Sequence, residues 1–175
     1  MNDLEKLHIH PVLIEQPVPK ADWDGLAKIT RESKVKVCAD ESVASLEDAS
    51  KAIRTKSVDA INIKFMKTGI LEAQKIAKLA VKNNIELMLG SMMESPLSAV
   101  AAAHFAGGTG SFNYIDLDTP FFIRRREIQR ISAVDEDTRR RIKGDTLRQA
   151  HLKPNGVYEL KKIKRGIGVA LDLKT

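Results

Sequence analysis

Five polar side chains that could take part in chemistry recur at a nearly constant interval along this 175-residue sequence. They are Glu15, Asp40, Lys64, Ser91 and Asp116, separated by 25, 24, 27 and 25 residues. Each follows a short apolar run that is typical of a buried strand. Carboxylates and a lysine in such a set favour cation binding and proton transfer.

Two of these side chains, Glu15 and Asp40, are carboxylates that end successive apolar runs. Pro17 closes the first run because proline does not fit inside a central strand, and Glu41 follows Asp40 directly. Carboxylates on neighbouring strand ends favour a hard cation such as Mg²⁺, which takes oxygen ligands. A single acid at such a place is more often a helix N-cap or a solvated loop residue, but the repetition favours a site.

Lys64 ends the third apolar run, INIK, and is the candidate acid/base group. Residues two apart in a strand share a face, so Asn62 and Lys64 point one way while Ile61 and Ile63 point the other. A lysine that faces the carboxylates can act as a base if desolvation or a nearby cation lowers its pKa, whereas the carboxylates alone would raise it. The alternative is a solvated strand-end lysine. Lys67 is interpreted as a loop residue or a structural charge.

The last strand end, in the sequence DLD, places Asp116 and Asp118 on one face, where the pair would suit a substrate ammonium group. Ser91 and Glu94 would contribute to the same rim or simply precede a helix. Ser95 and Pro96 are typical of a helix cap and first turn, so the residues themselves favour the structural role for that pair.

The elements that must position these side chains alternate between strand and helix. The strands are predicted in VLIEQP, VKVCADES, AINIKF, IELMLGS and FNYIDLD, and the helices in DWDGLAKITRES, SLEDASKAIRT, GILEAQKIAKLAVKNN and SPLSAVAAAHFAGG. Such regular βα units are typical of a (β/α) barrel, in which the strand ends meet at one rim. A doubly wound open sheet is the alternative, but no glycine-rich phosphate loop follows the first strand. AGGTG at 106–110 is interpreted as a helix-terminating loop.

Composition places limits on the function. No apolar run reaches the roughly 20 residues that cross a bilayer, and the first ten residues lack a signal-peptide pattern, so we expect a cytoplasmic protein without a membrane partner. Cys38 is the only cysteine and cannot form an intrachain disulfide; it is expected to face the barrel interior. Residues 124–165 carry 14 Lys/Arg against 6 Asp/Glu, whereas residues 1–123 carry 14 against 16.

The basic segment at residues 124–165, here called the tail, leaves a second class of function open. In this alternative the protein is a non-catalytic fragment whose tail binds an acidic partner. The tail has no aromatic residue between Phe122 and Tyr158, which argues against recognition of single-stranded nucleic acid. A solvated charged helix is the simpler interpretation.

Five segments carry a family resemblance: LIEQPVPKADWDGLAKIT, VKVCADESV, DAINIKFMKTGI, LGSMMESPLSAVAAAHFA and YIDLDTPFFI. Over about residues 4–123 they resemble the enolase superfamily, and specifically the dipeptide epimerases that interconvert L-Ala-D-Glu and L-Ala-L-Glu. The resemblance implies an α/β fold, the C-terminal portion, about strands 4 to 8, of a (β/α)7β TIM-type barrel.

By this resemblance Glu15 and Asp40 are Mg²⁺ ligands, and Lys64 is one of two acid/base lysines. Asp116 and Asp118 bind the dipeptide's amino group, and that pair separates the epimerases from muconate-lactonizing and succinylbenzoate-forming enzymes, which stay open as alternative activities. The implied reaction is a Mg²⁺-assisted 1,1-proton transfer at the α-carbon of a small dipeptide substrate. One lysine removes the proton, and the enediolate is reprotonated from the opposite face.

The sequence departs from this family in several places. The family's first metal ligand, an Asp on the third strand, and its other lysine, on the second, have no counterpart. Ile70 replaces the second glycine of the usual KTGG. We therefore expect full activity to need a missing N-terminal half, supplied by another chain or by self-association, and whether the chain alone is an enzyme stays open. The organisation expected is a partial barrel at 1–123, a basic insertion or helical segment at 124–153, and a C-terminal return segment at 154–175.

Overall fold

The computed structural model of the chain describes residues 6–119, and within that range strands and helices alternate. The strands are β1 Leu13–Glu15, β2 Lys36–Ala39, β3 Ala60–Ile63, β4 Glu86–Gly90 and β5 Tyr114–Asp116. The helices are α1 Trp23–Glu32, α2 Leu46–Arg54, α3 Phe65–Lys82 and α4 Pro96–Thr109. The segments expected at 124–153 and 154–175 lie outside the described residues.

The strands form one sheet in the order β1-β2-β3-β4-β5. β1 and β2 are parallel, with Ile14 opposite Val37, and β2 and β3 are parallel, with Ala39 opposite Ile61. A doubly wound sheet reverses its strand order partway along the chain, whereas strands that are added on one side throughout are typical of a barrel wall. The sheet order therefore confirms the predicted barrel-type α/β fold.

The two faces of the sheet differ in what they carry. One face holds a buried cluster of Cys38, Ala60 and Met88, against which Leu13 and Tyr114 pack, so every strand contributes one residue. The alternate positions, such as Val37, Ala39, Ile61 and Ile63, are fully buried as well. β2, β3 and β4 are buried along most of their length, and strands buried on both faces have near-continuous apolar sequences, which explains why those three runs were recognisable.

Side chains at the predicted helix starts cap the free backbone N–H groups. Asp22 Oδ1 accepts a hydrogen bond from Gly25 N–H at 2.8 Å, and Ser45 Oγ accepts one from Asp48 N–H at 3.1 Å. Ser95 is the N-cap of α4, and a proline stands in its first turn, as the sequence predicted. Such caps fix where each βα loop ends and the helix begins.

Two helix boundaries differ from the prediction. Helix α4 continues through Gly108 to Thr109, so the interpretation of 106–110 as a loop was wrong except at Gly110, which ends the helix with φ 62°. Helix α3 begins one turn earlier than expected, at Phe65, and is interrupted at Gly69, whose φ of 66° and ψ of 174° are not helical. A left-handed φ favours glycine, and this is a reason for glycine at both places.

The described residues belong to two compact units. The first contains residues 6–88 and 111–115, and the second contains residues 89–110 and 116–119. In the first unit α2 packs against α3, and α1 lies against β2. Among the helices that the structure describes, none is both long and apolar enough to cross a membrane.

Candidate active site

Glu15, Asp40 and Lys64 lie together in the first unit at the carboxyl ends of β1, β2 and β3. Lys64 Nζ donates a hydrogen bond to Asp40 Oδ2 at 2.5 Å and lies 3.9 Å from Glu15 Oε1. One ammonium group thus stands beside both carboxylates. The structure confirms that these three residues, 25 and 24 positions apart in sequence, converge.

The apolar cluster of the sheet explains this convergence. Leu13, Cys38 and Ala60 belong to that cluster; Glu15 and Asp40 follow Leu13 and Cys38 by two positions, and Lys64 follows Ala60 by four. Because side chains of a strand alternate, a residue two positions on points to the same face. The charged groups therefore lie directly beyond a dry layer, and burial raises the pKa of the Cys38 thiol in that layer well above its usual value.

Lys67 belongs to the same cluster, which the sequence did not predict. Its Nζ donates to Asp40 Oδ1 at 2.6 Å, to the Asp40 carbonyl oxygen at 2.5 Å and to the Asn62 carbonyl oxygen at 2.9 Å. The expectation of a loop residue was wrong, since Lys67 lies in the first turn of α3. The alternative expectation, a structural charge, describes its contacts. The signal in the sequence was the three-residue spacing from Lys64, which one helical turn brings near the same strand end.

Asn62 also contacts the cluster. Its Nδ2 donates to Glu15 Oε1 at 2.6 Å, and its side chain is buried. The Oδ1 atom of Asn62 is buried and has no hydrogen-bond partner among the residues described. An unpaired buried polar atom costs free energy, and this one belongs to a side chain that donates to the Glu15 carboxylate.

Burial and the mutual contacts shift the pKa of every charged group in the cluster. Burial acts to raise the pKa of Asp40, but hydrogen bonds from Lys64 and Lys67 outweigh it and lower the pKa below its usual value. Burial acts to lower the pKa of Lys64, and the hydrogen bond and charge of Asp40 reverse that, so its pKa is raised. For Lys67 burial dominates and the pKa is lowered. Asp40 is therefore the common anion of two lysines.

The carboxylates fit a hard divalent cation. Glu15 and Asp40 already share one cationic group, the Lys64 ammonium, and both present oxygen atoms, the ligand type that Mg²⁺ takes. Within residues 6–119, no group of three or more His, Cys, Asp and Glu side chains could hold a metal ion.

Glu15 is expected to destabilise the folded chain slightly at neutral pH. Burial raises its pKa, the charge of Asp40 adds to that, and the Asn62 hydrogen bond only partly offsets it. A raised folded-state pKa favours folding in acid and disfavours it once the carboxyl ionises. Glu15→Gln should therefore be as stable as the natural chain or up to about 1 kcal/mol more stable at pH 7, a small effect because the side chain is 35% exposed.

The difference in free energy of unfolding between Glu15→Gln and the natural chain should vanish below about pH 4, where the Glu15 carboxyl is protonated in the unfolded chain as well. Urea unfolding followed by fluorescence of Trp23, the only tryptophan, measures it. Glu47→Gln, on the exposed side of α2, is the matched control. A clear loss of stability in Glu15→Gln at pH 7 would contradict this account of its environment.

Lys67→Met should destabilise the chain by about 3 kcal/mol, because it leaves a buried carboxylate and two carbonyl groups short of a donor. The Lys67 side chain is only 10% exposed, so solvent cannot replace the lost bonds. Lys78→Met, at an exposed position of the same helix, should change the free energy of unfolding by less than about 0.5 kcal/mol. Equal effects of the two substitutions in urea unfolding would show that Lys67 is not structural.

The other predicted site residues lie in the second unit. Ser91 Oγ donates to the Asp116 carbonyl oxygen at 3.3 Å and lies 2.6 Å from Thr119 Oγ1. Glu94 is buried, and its carboxylate accepts hydrogen bonds from the Ser98 hydroxyl and, at 3.3 Å, from Met92 N–H. These contacts agree with the structural role that the residues themselves favoured.

Asp116 ends β5 and Asp118 follows it, both exposed, with Leu117 buried. Ile115 is exposed as well and β5 ends at Asp116, so a shared face for the two aspartates stays a prediction. The assignment of Asp116, Asp118, Ser91 and Glu94 to substrate binding stays a prediction.

Comparison with known proteins gives the class of this fold and site. The Enolase C-terminal domain-like family matches residues 1–174. A hydrophobic dipeptide epimerase of Citrifermentans bemidjiense is 48% identical over 164 residues, which are 92% of this chain and 39% of that protein. The substrate-liganded L-Ala-D/L-Glu epimerase of Bacillus subtilis superposes with a TM-score of 0.67 at 40% identity, over 70% of this chain and 34% of that one.

The dipeptide epimerase of Enterococcus faecalis complexed with Mg and the dipeptide L-Leu-L-Tyr superposes with a TM-score of 0.65 at 38% identity, over 69% of this chain and 34% of that one. The chain therefore belongs to the Enolase C-terminal domain-like family. Its fold is the C-terminal portion of an enolase-superfamily barrel, and it resembles the dipeptide epimerases among them. It spans 39% of the length of the Citrifermentans relative.

Proposed function

We propose that this chain is the C-terminal part of a dipeptide epimerase that moves the α-proton of the second residue of L-Ala-D/L-Glu-type dipeptides. The observation that carries the proposal is the position of Lys64, whose Nζ lies 2.5 Å from Asp40 Oδ2 and 3.9 Å from Glu15 Oε1. A proton-transfer group beside two oxygen ligands is what this chemistry needs. The similarity to proteins named dipeptide epimerases supports the choice of substrate class.

Each residue of the cluster has a role in the proposal. Glu15 and Asp40 hold Mg²⁺, which when bound draws negative charge away from the substrate carboxylate and makes the α-proton more acidic. Lys64 removes or returns that proton on one face. The carboxylates alone raise the pKa of Lys64, so a neutral lysine base requires their charge to be compensated. Lys67 keeps Asp40 in place while Lys64 moves to the substrate.

The rest of the site is proposed from the family resemblance. Asp116 and Asp118 bind the dipeptide's ammonium group, and Ser91 and Glu94 support the same substrate. The chain spans only about a third of the length of the solved epimerases. We propose that an N-terminal segment of the kind present in those longer proteins supplies the second lysine and the third carboxylate, on the same polypeptide or on another.

Proton exchange with solvent tests the proposal directly. The chain, alone and mixed with the N-terminal half of a longer epimerase, is incubated with Mg²⁺ and a dipeptide in deuterated water. NMR then follows the α-proton of the second residue. The panel comprises L-Ala-L-Glu and an apolar dipeptide, L-Leu-L-Tyr.

We expect exchange at that α-carbon only, and we expect EDTA to stop it. Exchange should be faster in the sample that contains the N-terminal half than in the chain alone. Absence of exchange in the folded, complemented sample for every dipeptide, or exchange that persists in EDTA, would overturn the proposal.

A further inference from the structure

Gln16 has an unusual conformation directly after the first carboxylate. Its φ of 40° lies in the left-handed region, where residues other than glycine are uncommon. It stands between Glu15 and Pro17, at the end of β1. Such a conformation persists only where the surroundings determine it, and it is found mostly at functional sites.

The surroundings that determine it are contacts with the loop that carries the second carboxylate. Gln16 Oε1 accepts hydrogen bonds from Asp40 N–H at 2.9 Å and from Ser42 N–H at 3.2 Å. Gln16 Nε2 donates to Ser42 Oγ at 2.8 Å and to the Val18 carbonyl oxygen at 2.8 Å. A primary amide has two donors and two acceptor sites, and here all four are used.

The backbone of Gln16 strengthens this link, because its N–H donates to the Cys38 carbonyl oxygen at 2.8 Å. Ser42 is itself buried, and its hydroxyl donates to the Lys20 carbonyl oxygen at 3.0 Å. Gln16 therefore joins the end of β1 to the loop after β2 through both main chain and side chain. The two residues that this link holds beside each other are Glu15 and Asp40.

We propose that Gln16 is a positioning residue that fixes the Asp40 carboxylate relative to Glu15. Glu15 is its covalent neighbour, and the Asp40 amide is its hydrogen-bond donor, so one side chain sets the spacing of the two oxygen ligands. An effect of Gln16 on metal affinity rests on the proposed function. An effect of Gln16 on the hydrogen bond between Asp40 and Lys64 concerns a contact that the structure shows, and it can be measured without a metal.

Two variants separate the hydrogen bonds from the bulk of the side chain. Gln16→Met keeps the length but makes no hydrogen bonds, whereas Gln16→Glu keeps acceptors for the amides of Asp40 and Ser42. Gln74→Met, on the exposed face of α3, is the matched control. The metal-free readouts are hydrogen–deuterium exchange at those two amides and the rate at which an acylating reagent labels Lys64, resolved by mass spectrometry.

In Gln16→Met, amide exchange at Asp40 and Ser42 should become about tenfold faster, with Val37 unchanged as the internal reference, because two hydrogen bonds are lost. Lys64 should be labelled at least about threefold faster, since its partner Asp40 is no longer held. Gln16→Glu should slow amide exchange at Asp40 and Ser42 relative to Gln16→Met, because its carboxylate still accepts from both N–H groups. Unchanged Lys64 labelling in Gln16→Met, or amide exchange in Gln16→Glu as fast as in Gln16→Met, would overturn the positioning role and leave a simple loop contact.

Binding of Mn²⁺, followed by electron paramagnetic resonance on the natural chain and Gln16→Met, distinguishes the two proposals. A weaker affinity in the variant supports both proposals. If the natural chain takes up no Mn²⁺ even with an N-terminal half present, the metal role in the proposed function is wrong. The exchange and labelling rates still decide the role of Gln16.

Discussion

Lys64→Ala should slow α-proton exchange by at least about 100-fold for whichever of L-Ala-L-Glu and L-Ala-D-Glu presents its α-proton to Lys64, because it removes the only group of the described cluster that can carry the proton to and from carbon. Lys67 cannot replace it, since all three of its donors are directed to Asp40 and to the Asn62 carbonyl group. The measurement is NMR in deuterated water with Mg²⁺, on the chain complemented by an N-terminal half.

Lys75→Ala, at an exposed position of α3, is the control for removal of a lysine as such and should leave the exchange rate within about twofold of the natural chain. Trp23 fluorescence in urea checks that Lys64→Ala remains folded. Exchange within threefold of the natural rate for both epimers in a folded Lys64→Ala sample would show that another group transfers the proton.

Asp40→Asn should destabilise the folded chain by about 3–5 kcal/mol, the largest loss of stability expected for a single substitution in the cluster. Asp40 is 4% exposed and receives Lys64 Nζ at 2.5 Å and Lys67 Nζ at 2.6 Å. Removal of its charge leaves the largely buried Lys67 ammonium without the carboxylate to which it donates, and leaves Lys64 with only the more distant Glu15 carboxylate at 3.9 Å. The same substitution should abolish Mn²⁺ binding, because only one of the two carboxylates remains.

The loss of stability in Asp40→Asn should be larger at neutral pH than in acid. The folded-state pKa of Asp40 is lowered, so its stabilising contribution is present above its unfolded pKa of about 3.9 and is lost as the pH falls through the lower folded value. The stability difference between the natural chain and Asp40→Asn should therefore be full at pH 7 and shrink in acid. Urea unfolding across this range measures it.

Glu41→Gln is the matched control for Asp40→Asn, because Glu41 is the next residue and is exposed. It should change the free energy of unfolding by less than about 0.5 kcal/mol. If the two substitutions had similar effects, the buried network around Asp40 would not contribute to stability as the contacts imply.

The pattern of apolar and polar residues was enough to predict the repeating βα units and the places where the strands end. Short apolar runs are typical of buried strands, and a charged residue that follows such a run marks the end of the strand. This is why Glu15, Asp40 and Lys64 were located correctly from their spacing. Alternation along β3 also placed Asn62 on the face of Lys64, although its contact with the Glu15 carboxylate was not foreseen.

The neighbours that hold these groups could be identified only from the folded structure. Lys67 became part of the cluster because α3 begins at Phe65, directly after the strand, and its first turn brings the ammonium to Asp40. Gln16 has a left-handed backbone conformation and joins two strand ends. Because position 16 is a glutamine and not a glycine, the sequence did not indicate this conformation. Strand ends follow from local patterns of burial, whereas the pairing of polar groups depends on contacts between residues about 25 positions apart, which only the folded sheet brings within hydrogen-bonding distance.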